Sequence, residues 1–320
     1  ISSDWSNQLD FYYDGKTFAL YSGSWDNTVK KIDFDGNEVW SFNGHTNSVR
    51  NIAVGPNDHV YTTSYDGTVR KIDPNGNEVT SGGWPFTGHG NSSLSVAVDF
   101  NSQNVYTGRK DLIKFDLDGN EIWRFLSNGN GNTNGFASDI INISVDSNGY
   151  VYGGSSDGIV KKIDPSGNEV TSGGWPFTGH TAAIQGLTVD LNDNVYTGGG
   201  ANDHTAKKID PNGNLVWSFT GHTDTVRGVA VDSDSNVYTV SDDYTVKKID
   251  SNGNEITSGG WPFNGNNRVY SVVTDSNGYI YVGGKNDKVF KIDFDGNEVT
   301  SGGWPMESHT DVIFSLTLSE

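Results

Sequence analysis

Cysteine is missing from this chain of 320 residues, while methionine occurs once and proline eight times. The lack of cysteine excludes disulfide bonds, thiolate metal sites and a cysteine nucleophile. Basic residues are also scarce, since 21 lysines and arginines face 40 acidic residues and the net charge is −19. Nucleic acids and anionic membrane surfaces both need a basic face, so the sequence predicts neither as a partner.

Long apolar runs are absent as well. No stretch of the sequence approaches the roughly 18 apolar residues of a membrane-spanning helix, so we predict no membrane insertion. The first residue is Ile1 rather than methionine, and we expect the chain to be processed or to be a fragment.

One motif, Lys-Ile-Asp-x-x-Gly-Asn or a close variant, returns along the whole chain. A period of 40 to 48 residues with strand-like composition is typical of β-propeller blades. The sequence therefore predicts an all-β fold with negligible helix: a single domain over residues 1–320, folded as a seven-bladed β-propeller with four antiparallel strands per blade. The seven repeats are anchored at Asp33, Asp73, Asp116, Asp164, Asp210, Asp250 and Asp293.

Each repeat contains four short strand patterns, A to D, separated by turns. Asp66-Gly67 and Asn75-Gly76 are pairs that favour two-residue hairpin turns. In the repeat over residues 45–86 the predicted strands are A at Val49–Val54, B at Val60–Ser64, C at Thr68–Asp73 and D from Glu78 onward.

Strand D carries a tryptophan in every repeat and has two forms. In three copies the tryptophan directly follows the first residues of the strand-D pattern; these are Trp40, Trp123 and Trp217. The other four copies insert Thr-Ser-Gly-Gly before the tryptophan. We expect strand D to be the outer edge of the blade and the insertion to protect that edge from pairing with another chain. The four tryptophans after an insertion are Trp84, Trp175, Trp261 and Trp304.

The stretch from Gly221-His222 to Ser241-Asp242-Asp243 resembles a WD-repeat, although Ile-Asp replaces the Trp-Asp that usually ends strand C. In that family the histidine before strand A and the aspartate of the B-to-C turn bond to each other. The resemblance implies such structural braces in five blades, whereas Asp157 and Asp287 have no matching histidine. The implied pairs are His45 with Asp66, His89 with Asp111, His180 with Asp203, His222 with Asp243, and His309 with Asp26.

Two further resemblances widen the choice of function. The run Asp-x-x-Gly-Asn-x-x-Trp resembles propeller repeats of pyrroloquinoline-quinone enzymes and their non-enzymatic relatives, and residues 231–238 are similar to NHL repeats. The first resemblance leaves a quinoprotein-type enzyme as an alternative. Such enzymes usually have eight blades and a central calcium held by carboxylates, whereas this chain has seven copies and no carboxylate that stands out from the repeat.

The candidate chemical groups have simpler structural explanations. Five of the seven histidines share one repeat position, which indicates a brace and not a catalytic base. The Asp-x-Asp-Gly-Asn-Glu runs at 33–38, 116–121 and 293–298 offer oxygen ligands, but their glycine is fourth and marks a hairpin turn. We therefore predict no catalytic residue, no metal site and no cofactor, with calcium as the open alternative.

Where the copies differ at one position, they indicate what the scaffold displays. The turn column, just before the turn aspartate, contains Trp25, Tyr65, Lys110, Ser156, Asn202, Asp242 and Asn286. The strand-A column contains Arg50, Leu94, Ile141, Gln185, Arg227, Tyr270 and Phe314. Aromatic residues and arginine dominate binding hot spots. The predicted binding face therefore holds Trp25, Tyr65, Lys110, Arg50, Arg227, Tyr270 and Phe314, beside the irregular loop Ser127–Gly135; drift at exposed turns is the alternative.

These observations favour a non-catalytic binding or structural propeller that recognises a protein or a glycan. We expect it outside a cell or on a particle surface, such as that of a virus. An intracellular WD-repeat-like scaffold is the alternative. The chain also has one strand-A pattern too many, so Val312–Leu318 is predicted to supply the innermost strand of blade one, in competition with Leu9–Tyr13.

Overall fold

A computed structural model describes residues 18–90, 92–99, 101–127, 135–307 and 309–319 of the chain. Its strands form seven antiparallel sheets arranged as the blades of a β-propeller. Blade one contains β1 (Ala19–Ser24), β2 (Val29–Ile32), β3 (Glu38–Phe42) and β27 (Ile313–Ser319); blade two contains β4 (Val49–Val54), β5 (Val60–Ser64), β6 (Val69–Ile72) and β7 (Glu78–Val79). Blade three contains β8 (Ser95–Asp99), β9 (Asn104–Gly108), β10 (Leu112–Asp116) and β11 (Glu121–Phe125).

The remaining four blades repeat this order. Blade four contains β12 (Ile140–Val145), β13 (Val151–Ser155) and β14 (Val160–Ile163), and blade five contains β15 (Ile184–Val189), β16 (Val195–Gly199), β17 (Ala206–Ile209) and β18 (Leu215–Phe219). Blade six contains β19 (Val226–Val231), β20 (Val237–Ser241), β21 (Thr245–Ile249), β22 (Glu255–Ile256) and β23 (Phe263–Asn264), and blade seven contains β24 (Val269–Thr274), β25 (Ile280–Gly284) and β26 (Val289–Ile292).

The predicted fold class is confirmed. The described part of the chain contains one helical turn, a 3-10 turn at Pro56–Asp58, and no helix long and apolar enough to cross a membrane. Strand B is buried at every position in all seven blades, because it lies between two strands of its own sheet and between two neighbouring sheets. Strand D is the outer edge and is largely exposed.

The Thr-Ser-Gly-Gly insertion interrupts strand D. In blade four the outer strand is reduced to bridges at Val160–Phe177 and Ile163–Glu169, and blade seven shows the same pattern. The inserted glycines also pack against the next blade, since the Gly83 amide donates to the Asp118 carbonyl at 2.8 Å. A Cβ atom added at Gly82 would lie 2.2 Å from that carbonyl oxygen, so only glycine fits there. The insertion therefore joins two blades in addition to ending the edge strand.

The seven tryptophans of strand D each reach into the following blade. In every copy the indole Nε1 donates to a backbone carbonyl of the next C-to-D turn, at 3.0 to 3.2 Å. The last of them closes the ring, because Trp304 of blade seven donates to Phe34 of blade one. The repeated lysine often shares the same acceptor, as when Lys291 donates to Phe34 at 3.3 Å. The repeat motif is thus explained by contacts between blades.

The C-terminal strand closes blade one. β27 pairs antiparallel with β1 from Ala19–Ser319 to Ser24–Ile313. The Trp25 amide also donates to the Val312 carbonyl at 2.9 Å. This confirms that the segment predicted as residues 312–318 supplies the innermost strand, which the structure places at Ile313–Ser319. The competing segment Leu9–Tyr13 lies outside the described residues.

Candidate binding site at the channel mouth

The innermost strands surround a central cavity of about 360 Å³, and all seven residues of the strand-A column line it. They lie near the start of strand A. This is the end of the channel at which the D-to-A loops and the B-to-C turns meet, because successive strands of a blade run antiparallel. The column and the turns therefore form one surface, which we call the channel mouth.

A β-bulge aims the column residues away from the sheet. In blade two Val49 pairs with Ser64 and Asn51 with Thr63, so Arg50 has no partner in the ladder. The same register shift occurs at the column residue of five other blades; in blade three Leu94 lies just before β8. A bulged residue is left unpaired, and its side chain can be turned to a new direction.

The residue after the bulge joins neighbouring blades. Ser315 Oγ accepts a hydrogen bond from the Ile52 amide at 3.1 Å, and Asn51 Oδ1 accepts one from the Val96 amide at 3.2 Å. Polar side chains thus satisfy amides of inner strands that have no further strand beside them. Sequence reasoning missed these contacts, although small polar residues in an otherwise apolar strand were a readable signal.

Five of the predicted binding residues form one continuous cluster. The ring centroids of Trp25 and Phe314 lie 5.0 Å apart, and those of Phe314 and Tyr270 lie 5.1 Å apart in a stacked arrangement. Arg50 Cζ lies 3.9 Å from the centroid of Phe314 and 4.8 Å from that of Tyr65. Trp25 and Tyr65 expose 43% and 37% of their surface. We call Trp25, Tyr65, Arg50, Tyr270 and Phe314 the aromatic–arginine patch.

Arg227 lines the same mouth, but its hydrogen bonds are already used. Its guanidinium donates to both carboxylate oxygens of Asp242, at 3.1 and 2.6 Å, and to Gln185 Oε1 at 3.2 Å. Its Cζ lies 5.4 Å from the ring centroid of Tyr270. Arg227 therefore supports the patch from the side and has little donor capacity left for a ligand.

Arg50 differs from Arg227 in lacking a counter-ion. Within the described residues no hydrogen bond or ion pair reaches its guanidinium, and its Nε atom is buried. Burial lowers the pKa of Arg50, and the nearby positive charge of Arg227 acts in the same direction. Arg50 is thus a cation held against two aromatic rings, without a carboxylate beside it.

The other two predicted features contribute less to the cluster. Lys110 lies exposed in the B-to-C turn of blade three, and none of the ring contacts of the described patch involves it. Of the loop Ser127–Gly135, residues 128–134 lie outside the described residues.

The implied histidine–aspartate contacts are present in three blades with good hydrogen-bond geometry. The distances from Nδ1 to the carboxylate are 2.9 Å for His45–Asp66, 2.8 Å for His222–Asp243 and 2.9 Å for His309–Asp26. The second ring nitrogen of each histidine bonds to a hydroxyl of strand B, as His45 does to Thr62 at 2.8 Å. Burial alone would raise the pKa of Asp66, but hydrogen bonds from His45 and Thr68 hold it well below its usual range.

Blade five has a weaker version of this contact. His180 Nδ1 lies 3.1 Å from the Asp203 carboxylate but outside hydrogen-bond geometry. Asp203 accepts from the Thr181 amide at 2.7 Å instead, and His180 keeps its bond to Thr197. Burial lowers the pKa of His180 to about 4.

Blade three corrects the implied pairing. His89 bonds to Thr107 at 2.8 Å but not to Asp111. The Asp111 carboxylate instead accepts from the Ser127 amide at 2.8 Å and from Arg124 at 3.3 Å. The arginine in strand D and the backbone amide after it draw the carboxylate away, so the histidine stays without its partner.

The aspartates of the C-to-D turns are engaged by the turns themselves. Asp33 Oδ1 accepts from the Asn37 amide at 2.8 Å, and the Asn37 side chain donates to both carboxylate oxygens. Among the described residues no group of three or more histidine, cysteine, aspartate or glutamate side chains could hold a metal ion. The run that suggested calcium therefore has a role in shaping the hairpin.

The comparisons with known proteins agree with this architecture. The PQQ_2 family model, described as outer membrane protein assembly factor BamB, matches residues 26–206. The model of the WD domain, G-beta repeat, matches residues 3–33 and 213–250. The resemblances to WD-repeats and to pyrroloquinoline-quinone-type repeats are thereby confirmed.

Among solved structures, the crystal structure of the computationally designed Ika8 protein matches with a TM-score of 0.68. The match covers 94% of this chain and 88% of that one at 21% sequence identity, which shows the fold alone. No curated protein matches the chain. Since the PQQ_2 model covers more than half of the residues, the chain belongs to the PQQ_2 family, whose model is described as outer membrane protein assembly factor BamB.

Proposed function

We propose that this chain is a non-catalytic binding propeller and that it engages a protein partner at the channel mouth. The observation that carries the proposal is the aromatic–arginine patch, in which side chains from blades one, two and seven meet at bulged positions and turns. Aromatic and arginine side chains supply most of the energy of protein interfaces when they cluster near the centre. WD-type propellers are generally protein-interaction scaffolds, which agrees with this assignment.

The rest of the mouth supports binding more than chemistry. Buried histidines that could act as bases are engaged by strand-B hydroxyls, as His45 and His222 are. Trp25 and Tyr65 are large side chains left exposed in turns, where a polar residue would serve a hairpin equally well. A glycan could stack on the same rings, and it is the second class of ligand to test.

The test is capture of a partner by the immobilised chain, starting with extracellular proteins and a glycan array, because we expect display outside a cell or on a particle surface. With a partner in hand, Trp25→Ala and Tyr65→Ala should each weaken binding at least tenfold and leave the melting temperature unchanged. The matched control is Leu191→Ala, which removes a side chain that is 90% exposed in the A-to-B turn on the opposite face.

The structure changes the expectation for Arg227→Ala, which the sequence alone would treat as a pure binding variant. Removing Arg227 leaves the Asp242 carboxylate without its cation, so this variant should also lose stability. Normal binding by both the Trp25 and Tyr65 variants, together with loss of binding on changing Leu191, would place the site on the opposite face.

A further inference from the structure

Arg50 lines the central cavity, and its buried Nε atom has no hydrogen-bond partner among the described residues. Its Cζ lies over the rings of Phe314 and Tyr65, at 3.9 and 4.8 Å from their centroids. Aromatic faces satisfy part of the charge by cation–π attraction, but they accept none of the five N–H groups of a guanidinium. Since the Nε atom is buried and unbonded, Arg50 is prepared for an acceptor that the described chain does not provide.

The charged groups around Arg50 indicate which charge on the acceptor would bind best. Arg227 is neutralised by Asp242 through two hydrogen bonds, so this pair adds almost no net charge to the mouth. A ligand with one negative charge would neutralise Arg50. A ligand with two negative charges would leave one of them uncompensated beside a chain whose net charge is already −19. A planar carboxylate can accept two parallel N–H groups of a guanidinium, which is the strongest arrangement for this pair.

The other residues that line the cavity indicate what kind of chemical group carries the carboxylate. The accessible lining of the cavity is more polar than apolar, and Leu94, Ile141, Tyr270 and Phe314 contribute its apolar part. Gln185 turns its Oε1 toward Arg227, and its amide nitrogen makes no hydrogen bond to a described residue, so it can donate to a ligand. The cavity volume of about 360 Å³ lies within the usual range for small-ligand sites.

We propose that Arg50 is the anchor for a carboxylate group carried on an apolar or aromatic body and inserted into the channel mouth. This assignment rests on the proposed function, because it names the chemistry of the partner group recognised at the same surface. The group is a glutamate or aspartate side chain, or a chain terminus, of the partner. A free carboxylic acid has the same chemistry and forms a separate arm of the test.

The first arm uses phenylacetate with phenylacetamide as its uncharged match, measured by titration calorimetry and by the Nε–H resonance of Arg50. Phenylacetate should shift that resonance and bind at least tenfold more tightly than the amide. Arg50→Gln should weaken phenylacetate binding at least tenfold, whereas Lys288→Gln, which removes a partly exposed cation paired with Glu307, should leave it within twofold. If Arg50→Gln does not fold, two measurements on the native chain decide whether the assignment holds: the shift of the Arg50 Nε–H resonance, and the affinity for phenylacetate relative to phenylacetamide.

The second arm uses an acetylated and amidated hexapeptide with a single Glu between Leu and Tyr, and the same peptide with Gln. Tighter binding of the Glu peptide than of phenylacetate assigns the carboxylate to a protein partner; the reverse refutes that source. Equal binding of acid and amide, unchanged affinity in Arg50→Gln, or tighter binding of inorganic phosphate would overturn the assignment. If the Trp25→Ala variant binds the partner as tightly as the native chain does while phenylacetate still binds, the proposed function alone is refuted.

Discussion

Blades two and three differ in one buried contact, and the difference allows the brace to be measured. In blade two His45 and Asp66 have side chains 0% and 5% exposed, joined at 2.9 Å. In blade three His89 and Asp111 occupy the same repeat positions without bonding to each other. A double-mutant cycle in each blade therefore compares a pair that interacts with one that does not.

The substitutions are His45→Phe and Asp66→Asn in blade two, with His89→Phe and Asp111→Asn as the matched cycle. Phenylalanine keeps a ring of similar shape, and asparagine removes the charge without changing the volume. Hydrogen bonds to charged groups contribute about 1.5–3 kcal/mol, so we expect a coupling free energy of about 2 kcal/mol in blade two. In blade three the coupling should stay below about 0.5 kcal/mol, the usual limit for independent sites.

Urea denaturation followed by tryptophan fluorescence measures the four free energies of each cycle. In thermal melting, an unfolding entropy of about 2.1 cal/mol/K per residue makes 2 kcal/mol worth about 3 °C for a chain of this length. The single variants also lose packing and local bonds, such as the Arg124–Asp111 bond, but these contributions cancel in the cycle. Equal coupling in both blades, or none in blade two, would refute the assignment of the brace to this contact.

Two further predictions concern ring closure and pH. Deleting residues 309–320 removes β27, in which Ile313 and Leu316 are buried, and such side chains contribute about 1.5–3 kcal/mol each. The melting temperature of the whole ring should fall, and unchanged melting would show that another segment closes it. Burial lowers the pKa of His180 to about 4, below the value of about 6.5 in an unfolded chain. The unfolded chain then binds more protons between these values, so His180 alone should lower the stability by at most about 3 kcal/mol as the pH falls from 6.5 to 4, in addition to what buried His89, whose pKa is also about 4, contributes. His180→Phe should make the stability curve measured by urea denaturation less steep across this window, and an equally steep curve would contradict the assignment.

Features set by local sequence could be predicted closely. Strands A and B of the second repeat have the predicted bounds, Val49–Val54 and Val60–Ser64, because alternating apolar residues and hairpin turns fix them locally. The closing strand was also predictable, since an unpaired strand-A pattern at the end of the chain needs a sheet. The strand-A column was found by comparing copies, and every member lines the cavity.

Features set by neighbouring blades could not be predicted. The resemblance implied a bond between His89 and Asp111, but the competing donors Arg124 and Ser127 belong to strand D and its following loop. The insertion around Gly82 suggested edge protection, with a ligand site as the alternative, and its contact with Asp118 could not be foreseen because Asp118 lies in the next blade. Such contacts depend on how two sheets are placed, and no pattern within one repeat encodes that placement.

The bulge explains why variation is concentrated at the channel mouth. A residue paired in the ladder and buried between blades is constrained by its partners, as the strand-B tyrosines are. The bulged residue has no ladder partner, so its side chain can change from arginine to glutamine, tyrosine or phenylalanine without disturbing the sheet. The lack of a ladder partner explains only why the bulged residues differ between blades. It does not account for an uncompensated Arg50 beside stacked rings, which is costly unless something binds there. That cost is the physical reason to assign recognition to this end of the channel.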